Sequence, residues 1–290
     1  MCAATHPCPR DSKRGWRRTH ERNVLTSTST DARVCLIGAS IICGLQRYPR
    51  IWRKHFSGTV RAVNFGVGGD KTQHALWRAT NGEPPASARC VVVGVGNNNI
   101  DDDPPHKIAN GIFAIGQSFQ KALPGVKVLL AGLLPRDEVF SIRRDRQHDI
   151  NDHLRDYCQR MDTVGFFYLP PDRRFSPGAE GHLDMSLYHT DLLHLSEKGY
   201  DIFGQCISNS VYSILYGSGG RGNPTLDSYA IGQTVSIGAI PPPSSGLSSI
   251  PHGKATCACL PGPCLPDSYF ACSCRPCLAC GLGALPLLSR

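Results

Sequence analysis

Residues 90–119 read CVVVGVGNNNIDDDPPHKIANGIFAIGQSF. Cys90 to Val95 is a short apolar run rich in β-branched residues, the pattern of a strand buried on both faces. Three asparagines and an acidic turn follow, and Pro104-Pro105 then opens a segment with Ile108, Ile112, Ile115 and Phe119 at three- and four-residue steps. Proline fits the first turn of a helix and Pro124-Gly125 stops one, so a helix is predicted between them. A buried strand that passes straight into an amphipathic helix is the unit of parallel α/β sheets.

The same unit recurs on both sides. Further strand candidates are Arg33–Ile37, Val60–Phe65, Val126–Leu133 and Gly165–Leu169. A helix is expected from about Arg143 to Met161, with Ile150, Leu154 and Tyr157 as a narrow apolar stripe. Another runs from Ser196 or Glu197 to Tyr216, with Tyr200, Phe203, Ile207, Val211 and Leu215 on one side. The alternation predicts an α/β fold, a three-layer α/β/α sandwich with a parallel central sheet. Ligands of such sheets bind at the carboxyl ends of the strands.

The 290 residues suit one domain with loose ends, and 41% apolar content is enough for a sizeable core. Nowhere do roughly 20 uninterrupted apolar residues occur, so no transmembrane segment is expected. Of the net charge of +8, residues 1–33 carry +4, with seven Lys/Arg against three Asp/Glu. Residues 1–32 show no hydrophobic period and are read as a basic, disordered leader ahead of a domain at 33–216. The leader has no apolar core of a secretory signal, so a cytoplasmic protein is expected. Its charge could touch RNA or anionic lipid, although a solvated leader is the plainer reading.

Residues 217–256, rich in Gly, Ser and Pro, are read as a linker. Seven of the fourteen cysteines crowd into the end of the chain, 257–290. Cys272, Cys274, Cys277 and Cys280 have enough thiolates for one zinc but not the paired spacing of known zinc ribbons, and a disordered tail is the simpler reading. The other seven cysteines are scattered, and reduced thiols are expected for them.

Four blocks, each at the carboxyl end of a predicted strand or at the start of a helix, carry candidate chemistry. In Gly38-Ala39-Ser40 a serine follows the first strand, where it either caps a helix or exposes its hydroxyl at the sheet edge. In Gly66-Val67-Gly68-Gly69-Asp70 the glycines permit a tight turn with unblocked N–H groups. The spacing lacks the third glycine of a dinucleotide fingerprint, so no nucleotide cofactor is expected. Asn97-Asn98-Asn99 offers a carboxamide donor, or simply a turn. Asp191-Leu192-Leu193-His194 places a carboxylate three residues before an imidazole, which is either an oriented base or a helix-capping aspartate beside an incidental histidine.

Taken in order, these blocks resemble the SGNH (GDSL-type) hydrolase superfamily. The likeness extends to its platelet-activating factor acetylhydrolase branch through Asn64–Asp70, Leu76-Trp77-Arg78, Gly132–Arg136 and His194–Tyr200. It covers about residues 33–216. The resemblance implies a flavodoxin-like sandwich and a serine esterase of small acyl, acetyl-like esters on a lipid or similar carrier, working without metal or organic cofactor. It implies Ser40 as nucleophile, His194 as general base and Asp191 as the group that orients the imidazole. The backbone N–H groups of Ser40 and Gly69 and the amide of Asn98 would form the oxyanion hole. A homodimer is also expected. Where the family has Gly-Asp-Ser, this chain has Ala39, and Asn97 stands for the usual threonine.

Two alternatives remain open at this point. Ala39 would suit a catalytically weakened binding module. The basic leader and Cys-rich tail would suit an esterase domain like those of some non-LTR retrotransposons, with nucleic-acid-binding ends.

Overall fold

The computed structural model describes residues 3–58, 60–137, 139, 141–160 and 165–217. All of them belong to one compact unit, Met1–Val235. The expected linker, apart from Gly217, and the Cys-rich tail lie outside the described residues.

Five strands form one parallel sheet: β1 (Val34–Gly38), β2 (Ala62–Gly66), β3 (Cys90–Gly94), β4 (Lys127–Ala131) and β5 (Phe166–Leu169). Their order is β2-β1-β3-β4-β5. Each lies within one or two residues of its predicted place. Alternate side chains divide between two cores, as the two-residue period of a strand requires. Cys35, Ile37, Val91, Val93, Val128 and Leu130 face one core, closed by α4 (Thr72–Thr80), α5 (Pro105–Ala122) and α6 (Ile142–Arg160). Val34, Leu36, Cys90, Val92, Leu129 and Ala131 face the other. That side is closed by the short α2 (Ser40–Gly44) and α3 (Pro49–Trp52) and by α7 (Glu197–Tyr216). Ile42, Ile51, Phe203, Ile207 and Val211 are fully or nearly fully buried there. The fold is therefore the α/β/α sandwich that the alternation predicts.

From β1 the chain passes outward to β2, and from β3 outward the other way to β4, so the topological switch point lies at the carboxyl ends of the adjacent β1 and β3. Gly38, Gly66 and Gly94 share one row across β2, β1 and β3 at that end. A methyl at Gly94 would come within 2.7 Å of Ile42, and one at Gly38 or Gly66 would run into the Gly94 carbonyl or the Cys43 backbone. The row lets α2 lie directly on the strand ends.

The leader corrects the sequence reading. Residues Trp16–Ser29 form a helix, α1, and the buried members of its inner face are Trp16, His20, Asn23 and Ser27. These recur at helical spacing, but all except Trp16 are polar, so a search for an apolar period passes over them. Ser27 Oγ donates to the Gly82 carbonyl at 2.9 Å, and Trp16 and His20 pack on Trp77 with ring centroids 5.4 and 4.9 Å apart. Arg10 and Lys13 both donate to the Gly68 carbonyl. Cys8 is disulfide-bonded, against the expectation of a free thiol, whereas Cys35, Cys43, Cys90, Cys158 and Cys206 are free. Among the described residues no helix is long and apolar enough to cross a membrane.

Candidate active site

Ser40 is the first residue of α2, immediately after the switch point. It does not cap the helix: the capping position is Ala39, which supplies no side-chain bond. Instead Ser40 Oγ lies 2.9 Å from His194 Nε2. On the other side of the ring, His194 Nδ1 lies 2.6 Å from Asp191 Oδ2. Asp191 Oδ1 accepts the backbone N–H groups of Leu193 and His194 at 3.1 and 2.9 Å. A carboxylate accepting at Nδ1 fixes the tautomer with the proton on that nitrogen, which leaves Nε2 as an acceptor for the Ser40 hydroxyl.

The loop that presents this pair is closed at its base. Tyr188 bridges Leu195, His189 N–H donates to the His194 carbonyl at 2.8 Å, and Ser196 N–H donates to the Leu187 carbonyl at 2.9 Å. Leu192, between the two functional residues, sits at φ 48°, a left-handed conformation that a non-glycine residue adopts only under constraint. The cap of α7 is Ser196, whose Oγ accepts the Gly199 N–H at 3.2 Å. Asp191 is thus free of capping α7. Burial by itself would raise its carboxyl, but the hydrogen bonds from the His194 ring and from the two backbone N–H groups outweigh that and bring it down to about 2.

The three asparagines divide their work. Asn99 is fully buried and braces the turn, accepting Thr72 N–H at 2.9 Å and donating to Gln73 and Asp103. Asn97 Oδ1 accepts from Gln147 Nε2 at 2.6 Å. Asn98 spends one amide N–H on the Asp70 carbonyl at 2.8 Å, which leaves the second. Asn98 and Ser40 line the same cavity, of about 30 Å³, together with Ile42, Gly94, Leu134 and Phe203. Gly69 is not among the lining residues. It adjoins Asp70 at φ 78°, so the Asn98–Asp70 bond ties its turn to the cavity. No group of three or more His, Cys, Asp or Glu is placed to hold a metal ion among the described residues.

Residues 36–202 match the GDSL-like lipase/acylhydrolase family. The chain belongs to this family. It is 34% identical over 225 residues to platelet-activating factor acetylhydrolase IB subunit alpha1 of Rattus norvegicus, which covers 76% of this chain and 94% of the relative. Subunit alpha2 of the same organism is 35% identical over 186 residues, 64% of this chain and 78% of the relative. A solved GDSL-like lipase from Bacteroides thetaiotaomicron superposes with a TM-score of 0.52 at 20% identity, covering 68% of this chain and 97% of that one, and so shares the fold. The chain is accordingly a hydrolase of the acylhydrolase type.

Ser40, His194 and Asp191 are brought into one hydrogen-bonded line, and Asn98 shares the cavity with Ser40 alone of the three. Sequence reasoning missed what lies behind Gly69. Asp70, Arg78 and Glu83 form a fully buried ionic cluster, and α1 closes it. The available signal was the spacing of Trp16, His20, Asn23 and Ser27.

Proposed function

We propose that the protein is a serine esterase that removes a small, acetyl-like acyl group through an acyl-enzyme intermediate. The observation that carries this reading is the continuous hydrogen-bonded line from Ser40 Oγ through the His194 ring to Asp191, at 2.9 and 2.6 Å. In the first step Ser40 Oγ attacks the ester carbonyl carbon while its proton passes to His194 Nε2. The carbonyl electron pair becomes an oxyanion, which the N–H groups of Ser40, Gly69 and Asn98 Nδ2 receive. Collapse breaks the bond to the alcohol oxygen, and His194 returns the proton to that leaving group. Water then repeats the sequence on the acyl-Ser40 ester and releases a carboxylic acid. Asp191, ionised at every relevant pH, holds the ring and stabilises its protonated form.

The size of the acyl group follows from the cavity. Beside Ser40 it offers only about 30 Å³, lined with apolar surface by Ile42, Leu134 and Phe203. Such a lining favours a short acyl group such as acetyl over a long chain. The relatives' names describe acetylhydrolase subunits, which supports an acetyl ester on a lipid-like carrier as substrate and an assembly of more than one subunit.

Hydrolysis of p-nitrophenyl acetate by the purified chain, and its loss in Ser40→Ala, tests the proposal. A wild-type protein with no turnover of this ester, or a Ser40→Ala variant that turns over at the wild-type rate, would sink it.

A further inference from the structure

The guanidinium of Arg78, on α4, is fully buried beneath the site and reaches four acceptors. Nε donates to Asp70 Oδ2 at 2.9 Å, Nη2 to the Gly38 carbonyl at 3.1 Å, and Nη1 to the Phe65 carbonyl at 2.8 Å and to Glu83 Oε2. Three of the four acceptors lead to working parts of the site. Gly38 is two residues before Ser40. Phe65 is near the end of β2, where the glycine turn begins. Asp70 follows Gly69, and its own carbonyl takes the Asn98 amide. Ala39 brings no polar side chain to the turn before Ser40. That turn is held by backbone bonds, Ala39 N–H to the Gly94 carbonyl at 3.1 Å and Val67 N–H to the Gly38 carbonyl at 3.0 Å, and by Arg78.

Two buried carboxylates flank the guanidinium, and α1 satisfies the oxygens that Arg78 leaves over. Trp16 Nε1 donates to Asp70 Oδ1 at 2.8 Å. His20 Nδ1 and Asn23 Nδ2 meet Glu83 Oε1 at 3.1 and 3.0 Å. A buried carboxylate oxygen without a donor is costly, so removing a helix donor displaces the carboxylate, and the guanidinium moves with it.

We propose that Arg78 is a positioning residue for the Ser40 turn and the Gly69 donor, and that α1, through Trp16, His20 and Asn23, completes the shell that holds it. This rests on the esterase reading above. The N-terminal helix is then part of the working enzyme although it contributes no catalytic residue. Lysine cannot replace Arg78, because an ammonium is a point charge and cannot donate in a fixed plane to several acceptors at once.

The test uses the full chain and three variants: Trp16→Phe, which keeps the ring and removes the donor, Arg78→Lys, which keeps the charge, and Leu25→Ala on the exposed face of α1. For each, kcat and KM for p-nitrophenyl acetate are measured beside hydrogen exchange of peptides covering 38–43, 66–71 and 105–122. Since a displacement of about 1 Å can cost roughly 10²-fold, Arg78→Lys should lose about that factor in kcat. Trp16→Phe should lose less, and KM should stay level in both. Exchange should rise at 38–43 and 66–71 and stay level at 105–122, while Leu25→Ala changes nothing. Unchanged kcat in Trp16→Phe and Arg78→Lys, even with a lowered Tm, overturns the proposal, as does exchange that rises evenly over all three peptides. If the wild type fails to turn over ester, the esterase reading falls, and the exchange pattern alone decides whether this network holds the turns.

Discussion

Ser40 Oγ and His194 Nε2 lie 2.9 Å apart although 154 positions of chain separate them. The serine is delivered by the switch point of the sheet, and the histidine by a loop pinned at its base before α7. Neither position depends on the other, so the contact is a property of the fold. Asp191 then converts a nearby imidazole into an oriented one. Asp191→Asn keeps the shape but offers an amide in place of the carboxylate. Turnover of an acetyl ester should fall by about 10³- to 10⁴-fold with KM little changed, since loss of the tautomer-fixing carboxylate costs on that order in serine hydrolases. Steady-state kinetics on the purified variant checks this, and a loss under tenfold would contradict the assigned role.

Asn98 and Asn97 provide a paired comparison. Asn98 has an amide N–H left for the oxyanion after its bond to Asp70, whereas the Asn97 oxygen is engaged by Gln147. Asn98→Ala should lower kcat by about 10²- to 10³-fold, the usual cost of one oxyanion donor. Asn97→Ala should act mainly on stability, seen as a lowered Tm. Equal losses of kcat in the two variants would contradict the division.

Most of this arrangement is legible in the sequence for a physical reason. The central strands β1, β3 and β4 are buried on both faces and write themselves as nearly unbroken apolar runs, whereas the edge strands β2 and β5 are only partly buried. α5 carries an equally clear period through Ile108, Ile112, Ile115 and Phe119. Ser40 and Asn98 stand out because they follow strand ends, and Asp191 and His194 because they stand three residues apart just before a helix. α1 is not legible in that way, since it is fixed mainly by hydrogen bonds and tilted or edge-on ring contacts from Trp16, His20 and Asn23 to buried carboxylates and Trp77. Such contacts need a partner more than 50 positions away, and no local pattern records them. The same holds for Arg78, whose four acceptors come from three separate segments.

The cavity makes a prediction about acyl length. Discrimination per methylene in an apolar pocket is about 10- to 200-fold, so a butyrate ester should show a kcat/KM at least about tenfold below the acetate ester. Leu134→Ala enlarges the cavity and should narrow that gap. Both follow from kcat/KM for a series of p-nitrophenyl esters, and equal rates for acetate and butyrate would contradict a preference for short acyl groups.

Stability should depend on His74. Its Nδ1 accepts the Lys71 N–H at 3.0 Å, and burial, with the nearby Arg10, Lys71 and Arg78 charges, lowers it from the ordinary 6.5 to about 4. The folded chain therefore binds fewer protons than the unfolded chain between those values, so stability rises with pH across the interval. Equivalently, the contribution of neutral His74 is complete above about 6.5 and is lost as the pH falls through about 4. His74→Gln keeps an acceptor and does not titrate, so urea unfolding from pH 4 to pH 7 should show a shallower pH dependence than in the wild type. Identical slopes would contradict a suppressed imidazole.

Ser40 as an activated nucleophile can be tested covalently. A fluorophosphonate reports a serine hydroxyl activated by a neighbouring base, and peptide mapping identifies which serine it is. A single phosphonylated peptide carrying the label on Ser40 is expected, with labelling lost in Ser40→Ala and His194→Ala. Absence of labelling in an ester-hydrolysing protein, or a label on another serine that persists in Ser40→Ala, would contradict it.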